Sequence, residues 1–264
     1  GGSTSDALTL CHLLAGYILY TAFSWNMLLV SYILGFILGG IGISVGYHRY
    51  FCHRSFKTNK FFEYLLLSIG HYCGLGSAIT WAGIHREHHD TSDTEKDPHS
   101  PSHDSNIVTM MWKTKNIYQD INEKRIPVEP QFVNGVPQWE KFDLFAGSKI
   151  SRILWIAAYL MFFLFFSNSW WEWLLFPITF LMAPIHGAII NWFGHVYGYV
   201  NFKMKNTSKN LFPFDFLMMG EGYHNNHHKN FNNANFGVKW HEIDFTFLIM
   251  KFLDALGFIC LNKK

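Results

Sequence analysis

The stretch MLLVSYILGFILGGIGISVGYHRYFCH, residues 27–53, joins an apolar run to a pair of histidines. Residues 27–47 carry no Asp, Glu, Lys or Arg and match the roughly 20 residues that a helix needs to cross a bilayer. His48 and His53 follow at once, so potential metal ligands emerge where the run ends.

Three more runs share this character: residues 7–23, 153–166 and 174–194 are equally uncharged. Short turns at 24–26 and 167–172 pair the four runs into two predicted transmembrane hairpins. Neither turn holds Lys or Arg, whereas Arg49, Arg54, Lys57, Lys60, Lys149, Arg152, Lys203 and Lys205 flank the opposite ends. The positive-inside rule then puts both termini and the histidine segments on the cytoplasmic side. The expected fold is an all-α membrane protein, four transmembrane helices in two hairpins, with a cytoplasmic helical cap over about 48–152 and 195–264. The whole of 1–264 reads as one domain. Residues 61–81, apolar but interrupted by Glu63, Gly70, His71, Gly74 and Gly76, read as interfacial or re-entrant. A soluble bundle with buried helices is the competing architecture, and four uncharged runs argue against it.

Composition agrees. Of 264 residues 49% are hydrophobic and only 15% charged, against about 25% in soluble domains. A net charge of +2 leaves no basic field for a nucleic-acid partner. Cys11, Cys52, Cys73 and Cys260 form no CxxC pair and read as packed thiols.

The 15 histidines are clustered. HREHH supplies His85, His88 and His89, HNNHH supplies His224, His227 and His228, and His195 closes NWFGH. Random placement would give HxxHH roughly 0.05 times in such a chain, yet it occurs twice. On a helix that spacing sets three imidazoles on one face, able to converge on metal. Nine histidines exceed the four to six ligands of one ion and suit two, so a dinuclear site is implied. Neither a closed zinc site nor a carboxylate-bridged bundle fits the pattern, which leaves imidazole-rich iron with an open position. His12, His71, His99, His103, His186 and His241 stand apart and read as packed or solvated.

Over GYHRYFCHRSF (46–56), WAGIHREHHDTSDTEKDPHSP (81–101), NWFGHVYGY (191–199), GEGYHNNHH (220–228) and KWHEIDFTFLIMKFLDALG (239–257) the chain resembles the integral-membrane fatty acyl-CoA desaturases, in particular the stearoyl-CoA (Δ9) group. The resemblance implies two iron ions (Fe2+/Fe3+) held by His48, His53, His85, His88, His89, His195, His224, His227 and His228, with Asn191 approaching one metal through water. It implies O2 as co-substrate, a long-chain acyl-CoA or other acyl thioester or lipid as substrate, and a cis double bond as product. No haem or cluster motif is evident, so electrons are expected from a separate donor such as cytochrome b5 or ferredoxin. Glu87, Asp90, Asp93, Asp97 and Glu221 are candidates to accept the second ring N–H of ligand histidines. Lys113, Lys115, Lys124 and Arg125 are candidates to meet carrier phosphates, or form a solvated basic face.

The same resemblance places a substrate tunnel beside Tyr32, Phe36, Gly187 and Ala188; animal members carry Thr and Trp at the last two positions. Two rival readings stay open: a membrane hydroxylase built on the same histidine boxes, and a membrane metal transporter or metal-binding protein, whose sites normally lie near mid-bilayer rather than at span ends.

Overall fold

A computed structural model describes residues 13–17 and 35–262. From residue 35 the chain is helical, and over Gly40–Cys52 it winds as a π-helix. Gly42 and Gly46, four residues apart, let it lie close against α1 (Lys60–Tyr72). A Cβ on Gly46 would stand 3.4 Å from Leu66, and one on Gly42 would stand 2.9 Å from the Ile69 side chain. From the other side, a Cβ on Gly70 would overlap the Tyr47 ring. Val45, Tyr47, Phe51 and Leu66 are fully buried in this contact. Burying each such side chain contributes roughly 1.5–3 kcal/mol, which fixes the helix that carries His48.

Asn59 caps α1, its side chain accepting from the Phe62 amide. Gly74 and Gly76, both at positive φ, turn the chain, and Ser77 caps α2 (Ala78–Thr91). Residues 61–81 are thus a helix, a turn and a second helix start, and no single helix runs through the stretch read as interfacial or re-entrant. The glycines that lowered the helical signal mark the turn between two capped helices.

Next come α3 (Ile107–Asn122), the short α4 (Pro130–Val133) and α5 (Glu140–Ala146), then α6 (Lys149–Phe166). A 3-10 turn at Trp170–Leu174 leads into α7 (Leu175–Ala188), a π-helical turn at Ile189–Phe193 and α8 (Gly194–Val196). After a long irregular segment follow α9 (His224–Lys229) and α10 (Phe245–Ala255). The all-α expectation needs one amendment, since β1 (Phe56–Thr58) pairs antiparallel with β2 (Ile259–Leu261), Phe56 opposite Leu261. That ribbon ties the end of the chain to the segment just after His53.

Among the described residues, two helices are long and apolar enough to cross a membrane: Lys149–Phe166 and Trp170–Val196. Only 11% and 6% of their apolar windows are buried, whereas a core helix of a soluble protein would hide most of that surface. They contain the expected 153–166 and 174–194 runs. The expected span 7–23 lies largely outside the described residues, and of 27–47 the described part, 35–47, is helical throughout. Cys52, Cys73 and Cys260 are free thiols.

Candidate metal centre

Four helical elements deliver nine histidines to one place. The π-helix supplies His48 and its C-cap residue His53; α2 supplies His85, His88 and His89; α8 supplies His195; α9 supplies His224, His227 and His228. They fall into two groups: His48, His53, His85, His89 and His227, and His88, His195, His224 and His228. Within each, the donor atoms lie within 4.8 Å of one another. Both HxxHH helices straddle the groups. α2 gives its i, i+4 pair to the first group and His88 to the second, while α9 gives its pair to the second and His227 to the first.

The rings meet through Nε2. His85–His89 and His48–His227 stand at 3.0 Å, His89–His227 at 2.9 Å, and His195–His224 and His224–His228 at 3.1 Å. A neutral imidazole has one N–H. His48 Nδ1–H donates to Glu221 Oε2 at 2.6 Å and His88 Nδ1–H donates to Asp97 Oδ1 at 2.8 Å, so their Nε2 lone pairs face inward. His88 Nε2 is buried with no hydrogen-bond partner. Lone pairs facing one another are satisfied by a cation between them. Donors about 2.1 Å from a metal and at right angles lie about 3.0 Å apart, whereas tetrahedral donors lie about 3.4 Å apart. The observed distances are short enough for the donors of each group to reach a common ion, so the residues fit two metal ions.

Burial, reinforced by neighbouring imidazoles, pushes His53, His85, His88, His89, His224, His227 and His228 well below the usual histidine range. They are neutral at physiological pH, the form that binds metal. Burial alone would raise Glu221, but His48 and Arg49 hold its carboxyl well below the carboxylate range. Arg49, fully buried, bridges Glu221 at 3.0 Å and Asp244 at 2.7 Å, and lies 3.8 Å over the Phe236 ring. Phe236 in turn packs on His48 and His227. Ser44 donates to Glu221 and accepts from Arg49.

Three of the five candidate acids reach a histidine. Besides Glu221 and Asp97, Asp93 lies 3.7 Å from His195 Nδ1 and accepts the Thr207 amide and hydroxyl. Glu87 and Asp90 make no hydrogen bond to a histidine, because α2 turns them away from the face that carries His85, His88 and His89. Sequence reasoning set His99 among the unclustered histidines, yet it packs on His88 at 4.1 Å, its amide donates to Asp97, and its Nδ1 is buried without a partner. Its signal was the run Asp97-Pro98-His99 close behind an HxxHH box. Thr207, Arg49, Ser44 and Asp244 were also missed, and only adjacency to His48 marked Arg49. Asn191 sits in the π-helical turn one turn before His195.

An apolar cavity of about 530 Å³ runs along the π-helix and α7, with Phe36, Ser44, Tyr159, His186 and Met218 on its walls. Phe36, one of the residues expected beside a substrate tunnel, lies on this wall. Gly187 and Ala188 are absent from the wall, and Gly187 faces Met111 on α3, because α7 turns the neighbouring His186 and Ile189 inward instead. Tyr32 lies outside the described residues. Lys113, Lys124 and Arg125 are engaged by Asp104, Glu140 and the Asp120–Glu123 pair, and Lys115 covers Trp112.

Residues 23–255 match the family described as fatty acid desaturase. The chain belongs to that family. It is similar to the sn-1 stearoyl-lipid 9-desaturase of Synechocystis, 32% identical over 243 residues covering 89% of this chain and 71% of the relative. Delta-9 acyl-lipid desaturase 2 of Arabidopsis thaliana is 33% identical over 242 residues, covering 89% and 74%. The chloroplastic palmitoyl-monogalactosyldiacylglycerol delta-7 desaturase of the same plant is 31% identical over 239 residues, covering 89% and 62%. This desaturase is therefore an oxidoreductase of lipid metabolism, and its two histidine groups can house the di-iron centre that the family generally uses.

Proposed function

We propose that this desaturase introduces a cis double bond at carbon 9 of a saturated acyl chain held in a membrane lipid, using O2 and two external electrons. The single observation that carries the reading is the apolar cavity whose wall includes Ser44, because Ser44 bonds Glu221 and Glu221 bonds His48. A saturated chain in that cavity lies beside the histidine groups with water kept out. The relatives' names favour an acyl-lipid over acyl-CoA, and Lys113, Lys124 and Arg125 already have carboxylate partners.

His48, His53, His85, His89 and His227 would hold one iron, and His88, His195, His224 and His228 the other, with Asn191 acting through water. When bound, the irons supply the O2 activation that an unactivated C–H bond requires. Glu221 and Asp97 fix the tautomers of His48 and His88, and the apolar side chains of the cavity disfavour water beside the chain. Four spans as one domain, with termini and site facing the cytoplasm, complete the proposal.

Expression in cells rich in saturated lipids, followed by positional analysis of fatty acids, tests it. A cis-9 monoene appearing first in glycerolipid is expected. Hydroxylated or unchanged chains would sink the desaturation reading, and label appearing first in the acyl-CoA pool would move the carrier to CoA.

A further inference from the structure

Three aromatic rings wall the five-histidine group. Trp81, half-buried, stacks on His85 at 5.1 Å, and Phe236, buried, covers His48 and His227. The third, Phe231, is 42% exposed and packs on His53 at 5.5 Å and His89 at 5.4 Å. It follows α9 in a tight turn closed by the Asn233 amide donating to the Asn230 carbonyl, which fixes the ring at the surface. The four-histidine group is buried throughout, while His89 of the other group is only partly buried. The wall between solvent and a ligand imidazole is one side chain thick at Phe231, as it is at exposed Thr207 beside His195 of the other group.

We propose that the face around Phe231 is the docking surface for a one-electron carrier protein, which delivers electrons through this edge to the five-histidine group. The inference rests on the desaturase reading above. Electron transfer falls steeply with distance, so a carrier gains by docking where a single side chain covers a ligand, and between the two such places the aromatic ring and the cations beside it favour Phe231. Charge selects its kind. Exposed Lys229 lies two residues before Phe231 and exposed Arg54 directly follows His53, while Asp90 after His89 is the one exposed acid next to these ligands. A net positive rim fits a carrier whose redox centre sits in an acidic face. Each turnover oxidises two reduced carriers: R–CH2–CH2–R′ + O2 + 2 H+ + 2 e− gives R–CH=CH–R′ + 2 H2O, the acyl chain and the carriers being oxidised and O2 reduced.

The test uses the iron-loaded full chain in lipid nanodiscs and a plant-type [2Fe–2S] ferredoxin. Anaerobic stopped-flow follows oxidation of reduced ferredoxin, and a binding titration with oxidised ferredoxin needs no turnover. Phe231→Asp and Lys229→Glu are expected to slow ferredoxin oxidation and weaken its binding at least tenfold, with Lys229→Glu also flattening the salt dependence. Phe231→Leu stays near the parent. Iron content and reduction by dithionite stay unchanged in all three. Rates within twofold of the parent in both charged variants would overturn the assignment, as would a parent that does not oxidise ferredoxin. Loss of iron or of dithionite reduction in Phe231→Asp would make the ring a structural lid and equally overturn it. Failure of dithionite-reduced parent to form a monoene with O2 would sink the desaturase reading alone, since ferredoxin oxidation is read separately.

Discussion

The His53 amide donates to the His48 carbonyl at 3.0 Å, across five residues, the spacing of a π-helical turn. On an α-helix, residues five apart point about 140° away from each other. Here the two rings stand 4.9 Å apart, in one ligand group. The wider winding converts an HxxxxH spacing that would diverge into one that converges, and the glycine contact with α1 holds it.

Gly70→Ala should therefore act at a distance. Its Cβ would overlap the Tyr47 ring, and Tyr47 immediately precedes His48. Overpacking of this kind costs about 1–3 kcal/mol. A lower melting temperature together with reduced iron content is expected, and full iron occupancy at unchanged stability would separate the glycine contact from the site.

Glu221→Gln keeps the shape beside His48 but removes the charge facing Arg49. Loss of such a ligand partner typically weakens metal binding 10–100-fold, to be read as faster iron loss to a chelator. Glu221→Ala should unfold the protein more readily, by about 3–5 kcal/mol, because Arg49 is fully buried and keeps only Asp244 as an ionic partner. Equal iron retention in parent and Glu221→Gln would contradict the role.

Seven histidines have folded pKa values below the unfolded value of about 6.5, owing to burial and mutual repulsion. Below that pH the unfolded chain binds more protons than the folded one, so stability falls as pH drops, by up to about 1.4 kcal/mol per pH unit for each group. Chelator-stripped protein should melt at one temperature from pH 8 to 7 and progressively lower from pH 6.5 to 5. A flat profile would show that these imidazoles do not resist protonation.

Much of this was legible in residue order, and what was not has identifiable causes. The HxxHH boxes announced themselves because i, i+3, i+4 spacing reads the same in sequence and on a helix. Their division between two groups was illegible, since it depends on how α2 and α9 face each other. His99 escaped notice because proximity to His88 comes through the turn after α2, and nothing in a single histidine shows that. Which residues at the end of α7 line the apolar cavity was illegible too: His186 and Ile189 do and Gly187 and Ala188 do not, a matter of one residue's rotation, about 100°, that a correspondence between sequences does not resolve.

Orientation is checked at the turn between α6 and the Trp170–Val196 helix. A cysteine at Asn168 should react with a membrane-impermeant maleimide only from the side opposite the histidines. Reaction from the cytoplasmic side alone would reverse the hairpin and separate its loop from the proposed topology.

Chain length should depend on Phe36. It lies twelve residues before His48 on the same helical run, on the wall of the apolar cavity and 6.1 Å from the Phe216 ring. A ring at that depth meets the methyl end of a chain whose reacting carbons lie by the histidines. At 41% exposure it contributes less to packing than the 3–5 kcal/mol typical of a buried Phe, so Phe36→Ala should fold. Extending the cavity by a ring's volume favours the longer chain, and one or two methylenes in an apolar site discriminate by about 1–3 kcal/mol each. Competition between C16 and C18 lipids should raise the C18:C16 product ratio at least severalfold over the parent. An unchanged ratio in folded, iron-loaded Phe36→Ala would take this helix out of the specificity argument and put the end of the chain elsewhere.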